Sequence, residues 1–208
     1  MPMNQFSGYI PHELGLLGDL KHLNLSDNAL GGEIPVDLSR CSKLQTISLW
    51  YNNLQGTIPA NLSRCSVLRT IELFANYLEG EIPSEIGTLQ NLELLNLFDN
   101  GLNGSIPPEL GNLKKLYLLD LSNNGLTGSI PAAIAKLHSL QYMDFGNNKL
   151  SGSVPASLSN LSSLSWLVLE NNSLSGTISP SFGDLPYLNT FSLAGNNLVG
   201  DIPPSLGI

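Results

Sequence analysis

Apolar residues occupy seven fixed places in every 24 residues of this chain. In the first full unit they are Leu17, Leu20, Leu23, Leu25, Leu30, Ile34 and Leu38, and the same offsets recur in each later one almost without exception. From Leu20 to Pro35 the letters read LxxLxLxxNxLxGxIP, and Leu116 to Pro131 repeats them place for place. Inside the pattern an asparagine returns nine times, as Asn4, Asn28, Asn52, Asn76, Asn100, Asn124, Asn148, Asn172 and Asn196, with no insertion or deletion between. So strict a period belongs to a structural unit that buries its apolar face against its neighbours, and it predicts a solenoid. Counted from eleven residues before each asparagine, residues 1–16 form a partial repeat and 17–208 eight full ones, together a single elongated domain.

Within one unit, Leu23 and Leu25 alternate with polar residues, as in a short strand with one buried face. Strands are predicted from His22 to Ser26, Thr46 to Trp50, Thr70 to Phe74 and onward, stacked as one parallel sheet. The asparagine that follows sits where the strand turns. There its amide can pair backbone groups that would otherwise cost about 1–3 kcal/mol each if buried unsatisfied. Glycine four residues later, from Gly8 to Gly200, fits a tight bend. Proline follows the Ile or Val in eight of nine units, Ser179 being the exception, and shapes the return across the back. Cys41 and Cys65 take a core slot that is otherwise leucine, so they read as buried free thiols. A disulfide between adjacent coils, about 4.8 Å apart, also fits the spacing.

The block from Leu92 to Gly111, LxxLxLxxNxLxGxIPxxLG, is similar to the plant-type leucine-rich repeat of receptor-like kinases, receptor-like proteins and polygalacturonase-inhibiting proteins, and the likeness covers the whole chain. It implies an α/β solenoid: a right-handed superhelix with a concave parallel β-sheet, a second short strand near LxGxIP, and 3-10 or helical turns on the convex side. Segments such as Leu38 to Leu44 (LSRCSKL) and Leu158 to Leu164 (LSNLSSL) look most like receptor kinases of the pathogen-sensing and hormone-sensing kind. The family's cysteine-paired caps, membrane-spanning helix and Ser/Thr kinase are not in this sequence. It therefore reads as an excerpt of a longer ectodomain or as a truncated gene product, placed by resemblance on the extracellular, apoplastic face of the plasma membrane.

Charge narrows the partners. Nine Lys and Arg against 17 Asp and Glu give a net charge of −8, which repels phosphate backbones and anionic lipid. Nucleic acid and direct membrane contact are not expected. No apolar run approaches the roughly 18 residues of a membrane span, and residues 1–16 lack the apolar core of a signal peptide.

Candidate sites lie where the repeats differ, at the concave positions six, four, two and one before each asparagine. These hold Asp27, Glu72, Asp99, Asp120, Asp144 and Glu170 but no Lys or Arg, an acidic face that would focus cationic groups. The plainer reading is that acids solvate an exposed sheet. The column two before the asparagine reads Ser26, Trp50, Phe74, Phe98, Ser122, Gly146, Glu170 and Ala194, with Tyr51 beside Trp50, while Tyr142 and Trp166 share the column six before. Large aromatics on an open face mark a partner site, or else they pack on one another to stabilise the sheet. Sequons begin at Asn24, Asn61, Asn103, Asn160 and Asn171 and are candidate glycosylation sites. Asn61, Asn103 and Asn160 are expected outside the strands, whereas Asn24 and Asn171 fall on or beside the concave face.

Catalytic and metal-binding constellations are not found: His12, His22 and His138 sit at unrelated offsets, and no cofactor is expected. Asp120 and Asp144, one coil apart, could mimic a glycosidase pair, which makes a carbohydrate-cleaving β-helix the rival enzyme reading. The leading expectation is a non-enzymatic segment of a plant receptor-like kinase ectodomain that binds a peptide or protein ligand, with a co-receptor as a possible further partner. A secreted inhibitor of a pathogen cell-wall hydrolase and an inert truncated copy are the alternatives.

Overall fold

The computed structural model describes residues 1–207. Eight three-residue strands, from His22–Asn24 to Thr190–Ser192, form one parallel sheet in strict chain order. Each pairs with the residues 24 positions away, as in Leu119 opposite Leu95 on one side and Met143 on the other. The regular strands end two residues sooner than the sequence suggests. Parallel hydrogen bonds nevertheless run on, from Leu25 N–H to the Ser48 carbonyl and from Asp27 N–H to that of Trp50. What stops the strand is the residue before each asparagine, which turns left-handed: Asp27, Tyr51, Ala75, Asp99, Asn123, Asn147 and Asn171 all have φ between 49° and 55°.

Beyond the asparagine the chain forms a second strand on the flank of the coil, such as Ala29–Glu33 or Ser173–Gly176. Flank strands pair 22 positions apart (Gly31 with Asn53, Ser151 with Ser173), two short of the period, and the even offset keeps like faces together. The glycine in or just past this strand has positive φ at all nine positions, +72° to +87°. Proline then precedes a 3-10 turn on the back of all coils but one, five residues long as in Val36–Arg40 after Pro35 and three in the last, Pro204–Leu206. In the coil that lacks this proline, the Ser179 hydroxyl caps the turn instead, accepting from Ser181 N–H at 3.3 Å.

The interior is one continuous column of leucine and isoleucine, most of it fully buried from Leu38 to Leu174, with Phe145 and Phe182 as its largest members. Cys41 and Cys65 lie within it as free, fully buried thiols. Burial pushes both up, Cys65 to about 11. Leu17, expected inside, is 50% exposed because the partial coil before it gives its column nothing to pack against. On the back, Gly15, Gly87, Gly111 and Gly183 share one place at which an added Cβ would overlap the main-chain carbonyl of the next coil's turn. Ser39, Ser63, Ala135 and Ser159 fill that place elsewhere.

Candidate functional site: the concave face and its rim

Each ladder asparagine ties two coils together. The Asn100 amide donates to the carbonyls of Leu97 and Phe98 in its own coil and to Leu73 one coil back, at 3.1–3.3 Å. Its oxygen accepts from Leu78 N–H at 3.0 Å. The same four partners recur at Asn52, Asn76, Asn124, Asn148, Asn172 and Asn196. These side chains are spent on the scaffold, and the variable residues stand on a rigid frame.

On that frame the structure brings Trp50, Tyr51, Phe74 and Phe98 together. Trp50 and Phe74 stack with centroids 5.3 Å apart and planes 5° from parallel. Phe98 follows at 6.5 Å, tilted 44°. Tyr51 stands edge-on to both Trp50 and Phe74, at 5.7 and 5.8 Å. The three slab rings are half-buried and Tyr51 is 56% exposed, so the slab packs on itself and still faces solvent. The mutual packing expected of these aromatics is present, and it leaves an open aromatic face beside it. Glu72, below the slab in the strand Thr70–Glu72, accepts from the Ser48 hydroxyl at 2.6 Å.

A second aromatic pair, Tyr142 and Trp166, stacks at 5.4 Å beside Asp120 and Asp144, which face each other in register. The pair of acids is less open than its column suggests. Asp120 is only 9% exposed, and its Oδ1 accepts both the main-chain N–H and the hydroxyl of Ser122. Asp144 Oδ1 accepts Gly146 N–H at 2.9 Å, and the Tyr142 hydroxyl lies 3.4 Å from its Oδ2. Burial raises both carboxyls, that of Asp144 to about 6 against the pull of Gly146 N–H, with the neighbouring Asp120 and Glu170 charges adding to the rise. Tyr142 is pushed up in turn by burial and by the two acids. Asn24 and Asn96, in the same column, likewise accept the N–H two residues on. At these four of the column's eight positions the side chain closes an Asx turn at the strand end, a role that Asn and Asp there could have revealed in the sequence.

All five sequon asparagines are exposed. Asn61 and Asn160 lie on 3-10 turns of the back. Asn103 is in a flank strand, Gly101–Asn103, contrary to the expectation of a site outside strands. Asn24 and Asn171 are engaged at the concave side, with Ser26 and with the Asn147 amide oxygen.

Sequence reading missed one feature, a groove of about 760 Å³ along the rim where the concave strands turn into the flank. Asp27, Tyr51, Ala75, Tyr77, Glu79 and Asp99 line it above a floor of ladder asparagines. Four of those six are spaced by the repeat itself, at the left-handed position, and that spacing was the available signal.

Residues 54–200 match the family described as a leucine-rich repeat region, and residues 19–41 match the single Leucine Rich Repeat. No curated protein sequence matches the chain. Among solved structures it is similar to that of a TDR receptor, at 40% identity and TM-score 0.96, covering 98% of this chain and 35% of that one. It is also similar to the Arabidopsis receptor kinase HAESA ectodomain in complex with an IDA peptide hormone, at 38% identity and TM-score 0.95, covering 98% and 34%. The chain thus spans about a third of the length of those ectodomains. A plant ice-binding protein is similar at 30% identity and TM-score 0.79, with 98% of this chain and 73% of that one covered.

Proposed function

The chain belongs to the leucine-rich repeat family, in the form seen in plant receptor-kinase ectodomains, and from that premise we propose that it is the ligand-binding segment of a cell-surface receptor-like kinase that senses a peptide. The observation that carries this reading is the slab of Trp50, Phe74 and Phe98 with Tyr51 at its edge. It is a contiguous aromatic surface left facing solvent on a sheet whose apolar needs are already met by interior leucines. Buried aromatic anchors of this kind dominate binding energy, each costing about 2 kcal/mol or more when truncated. Signalling and membrane attachment would belong to other parts of such a receptor, and a co-receptor would add its own surface to the complex.

Selection of random phage-displayed peptides against the chain, followed by titration of the selected peptide, tests the reading. Trp50 fluorescence provides a direct signal. Trp50→Ala, Phe74→Ala and Phe98→Ala should each weaken binding at least tenfold by this hot-spot scale. Undiminished affinity in all three would refute a site on the slab.

A second reading is favoured by the opposite half of the flank, where Ser151 and Ser153 pair with Ser173 and Ser175 in parallel strands and, with Thr127 and Ser129 in the coil before them, form an exposed, uncharged hydroxyl array. Such a regular array suits an ordered water lattice, the role named for the ice-binding relative. Arrest of ice recrystallisation by the chain, lost on replacing these hydroxyls, would support it over the receptor reading.

A further inference from the structure

We propose that the rim groove beside the slab holds the basic side chains of an extended peptide, two of them four residues apart. The inference rests on the peptide-binding reading above and narrows it to a cationic ligand class. The groove is continuous with the slab, because Tyr51 belongs to both. Two tyrosines, Tyr51 at 56% and Tyr77 at 64% exposure, supply its apolar contact area.

The three acids of its wall, Asp27, Glu79 and Asp99, are exposed, and none is in an ion pair among the described residues. No Lys or Arg lines it. The ladder floor has no donor to spare for an anion, since the amides of Asn28, Asn52, Asn76 and Asn100 already donate to main-chain carbonyls, and the exposed Asn53 amide is the one neutral asparagine donor left in the lining among the described residues. A peptide carboxylate would therefore be repelled here, whereas ammonium and guanidinium groups meet unpaired carboxylates beside aromatic rings, a setting that favours both ion pairing and cation–π contact. The cations of the molecule lie elsewhere, at strand entries such as Lys43 and Arg69, which are already paired with Asp19 and Glu93, and on the back turns, as Arg40, Arg64 and Lys136 do.

Spacing gives the ligand its pattern. Asp27 and Asp99 occupy equivalent positions three coils apart, about 14 Å at ~4.8 Å per coil. An extended chain rises about 3.3 Å per residue and points alternate side chains the same way, so residues i and i+4 span about 13 Å on one side. A peptide crossing the coils along the rim thus places one basic residue at Asp27 and the next at Asp99, with Tyr51, Tyr77 and Glu79 contacting the stretch between.

The test uses the whole chain and fluorescein-labelled peptides with two arginines in an otherwise uncharged sequence, placed i and i+4 or i and i+2, followed by anisotropy at low and moderate salt. The i,i+4 peptide should bind about twofold to fivefold tighter, in keeping with one more exposed rim ion pair than the i,i+2 peptide can make. Asp27→Asn with Asp99→Asn should erase that preference and flatten the salt dependence. Equal affinity for the two spacings, or an unchanged preference in the double variant, overturns the proposal. Where slab alanine variants abolish binding while the double variant does not, the receptor reading stands and the groove assignment falls. Binding of neither these peptides nor any library-selected one removes both.

Discussion

Replacing Asn100 with alanine removes four hydrogen bonds, but the structure predicts unequal consequences for the four partners. The Leu73 carbonyl keeps the Asn76 amide at 3.0 Å, the Leu97 carbonyl keeps that of Asn124 at 3.0 Å, and the Phe98 carbonyl keeps Ala75 N–H at 2.9 Å. Only Leu78 N–H, on a fully buried residue, is left with nothing. One orphaned buried donor sets the cost of the single change at about 1–3 kcal/mol. Adding Asn76→Ala strips the second donor from the Leu73 carbonyl, an acceptor that neither single variant orphans. The adjacent pair should therefore be worse than the sum of its parts by a further ~1–3 kcal/mol. Asn76 and Asn124 share no partner, so that pair should add within about 0.5 kcal/mol. Asn4, which bonds only Met1 and Pro2 carbonyls, should cost little on truncation. Urea unfolding of the singles and both doubles, with amide exchange at Leu78 as a local probe, measures each quantity. Additivity in the Asn76/Asn100 pair, or equal coupling in both pairs, would refute the shared-acceptor account.

Gly111→Ala should destabilise by about 1–3 kcal/mol, because the new Cβ meets the rigid Ala133 carbonyl; a neutral result in thermal unfolding would show that the back of the coil can open. Asp144→Asn should stabilise the chain at neutral pH and have little effect near pH 4. Its carboxyl is raised to about 6 in the fold, so the fold favours the protonated form, and stability falls as pH rises from the unfolded value through 6; unfolding midpoints across that window check the sign. Tyr51→Asn should leave stability nearly unchanged, as relief of the left-handed backbone, about 1 kcal/mol or more, offsets lost ring contacts of about 0.5–1.5 kcal/mol. The same change should weaken peptide binding, and a large loss of stability would contradict this balance.

The coil was legible in the sequence because period, strand alternation, asparagine and Gly–x–Ile–Pro all describe one unit meeting copies of itself. Depth was not. Asp120 sits in a column that faces outward, yet Ser122 of its own coil and Tyr142 of the next leave little of it in water, a burial that the column alone does not show. Strand length was overestimated because pairing continues past the regular strand to the left-handed residue, and the apolar pattern does not mark where φ changes sign. The interior fate of Leu17 failed for a related reason, since a column is buried only where a neighbouring coil presents its own member. The rim groove arises from several turns at once and has no single-repeat signature.

The left-handed position singles out Tyr51 by its backbone cost. Asp27, Asp99, Asn123, Asn147 and Asn171 adopt it with residues that tolerate positive φ comparatively well, whereas Tyr51, at φ 49°, does so with a bulky side chain for which this is a genuine outlier. Folding alone would favour asparagine there, as three later coils demonstrate. Tyr51 recovers part of the cost through its edges on Trp50 and Phe74, but it remains 56% exposed, so those contacts use only part of the ring. The unused part lies at the junction of slab and groove, where an extended chain crossing the coils would touch both. A strained residue half-covered by its own neighbours is accounted for when its remaining surface completes a contact that the isolated chain does not make.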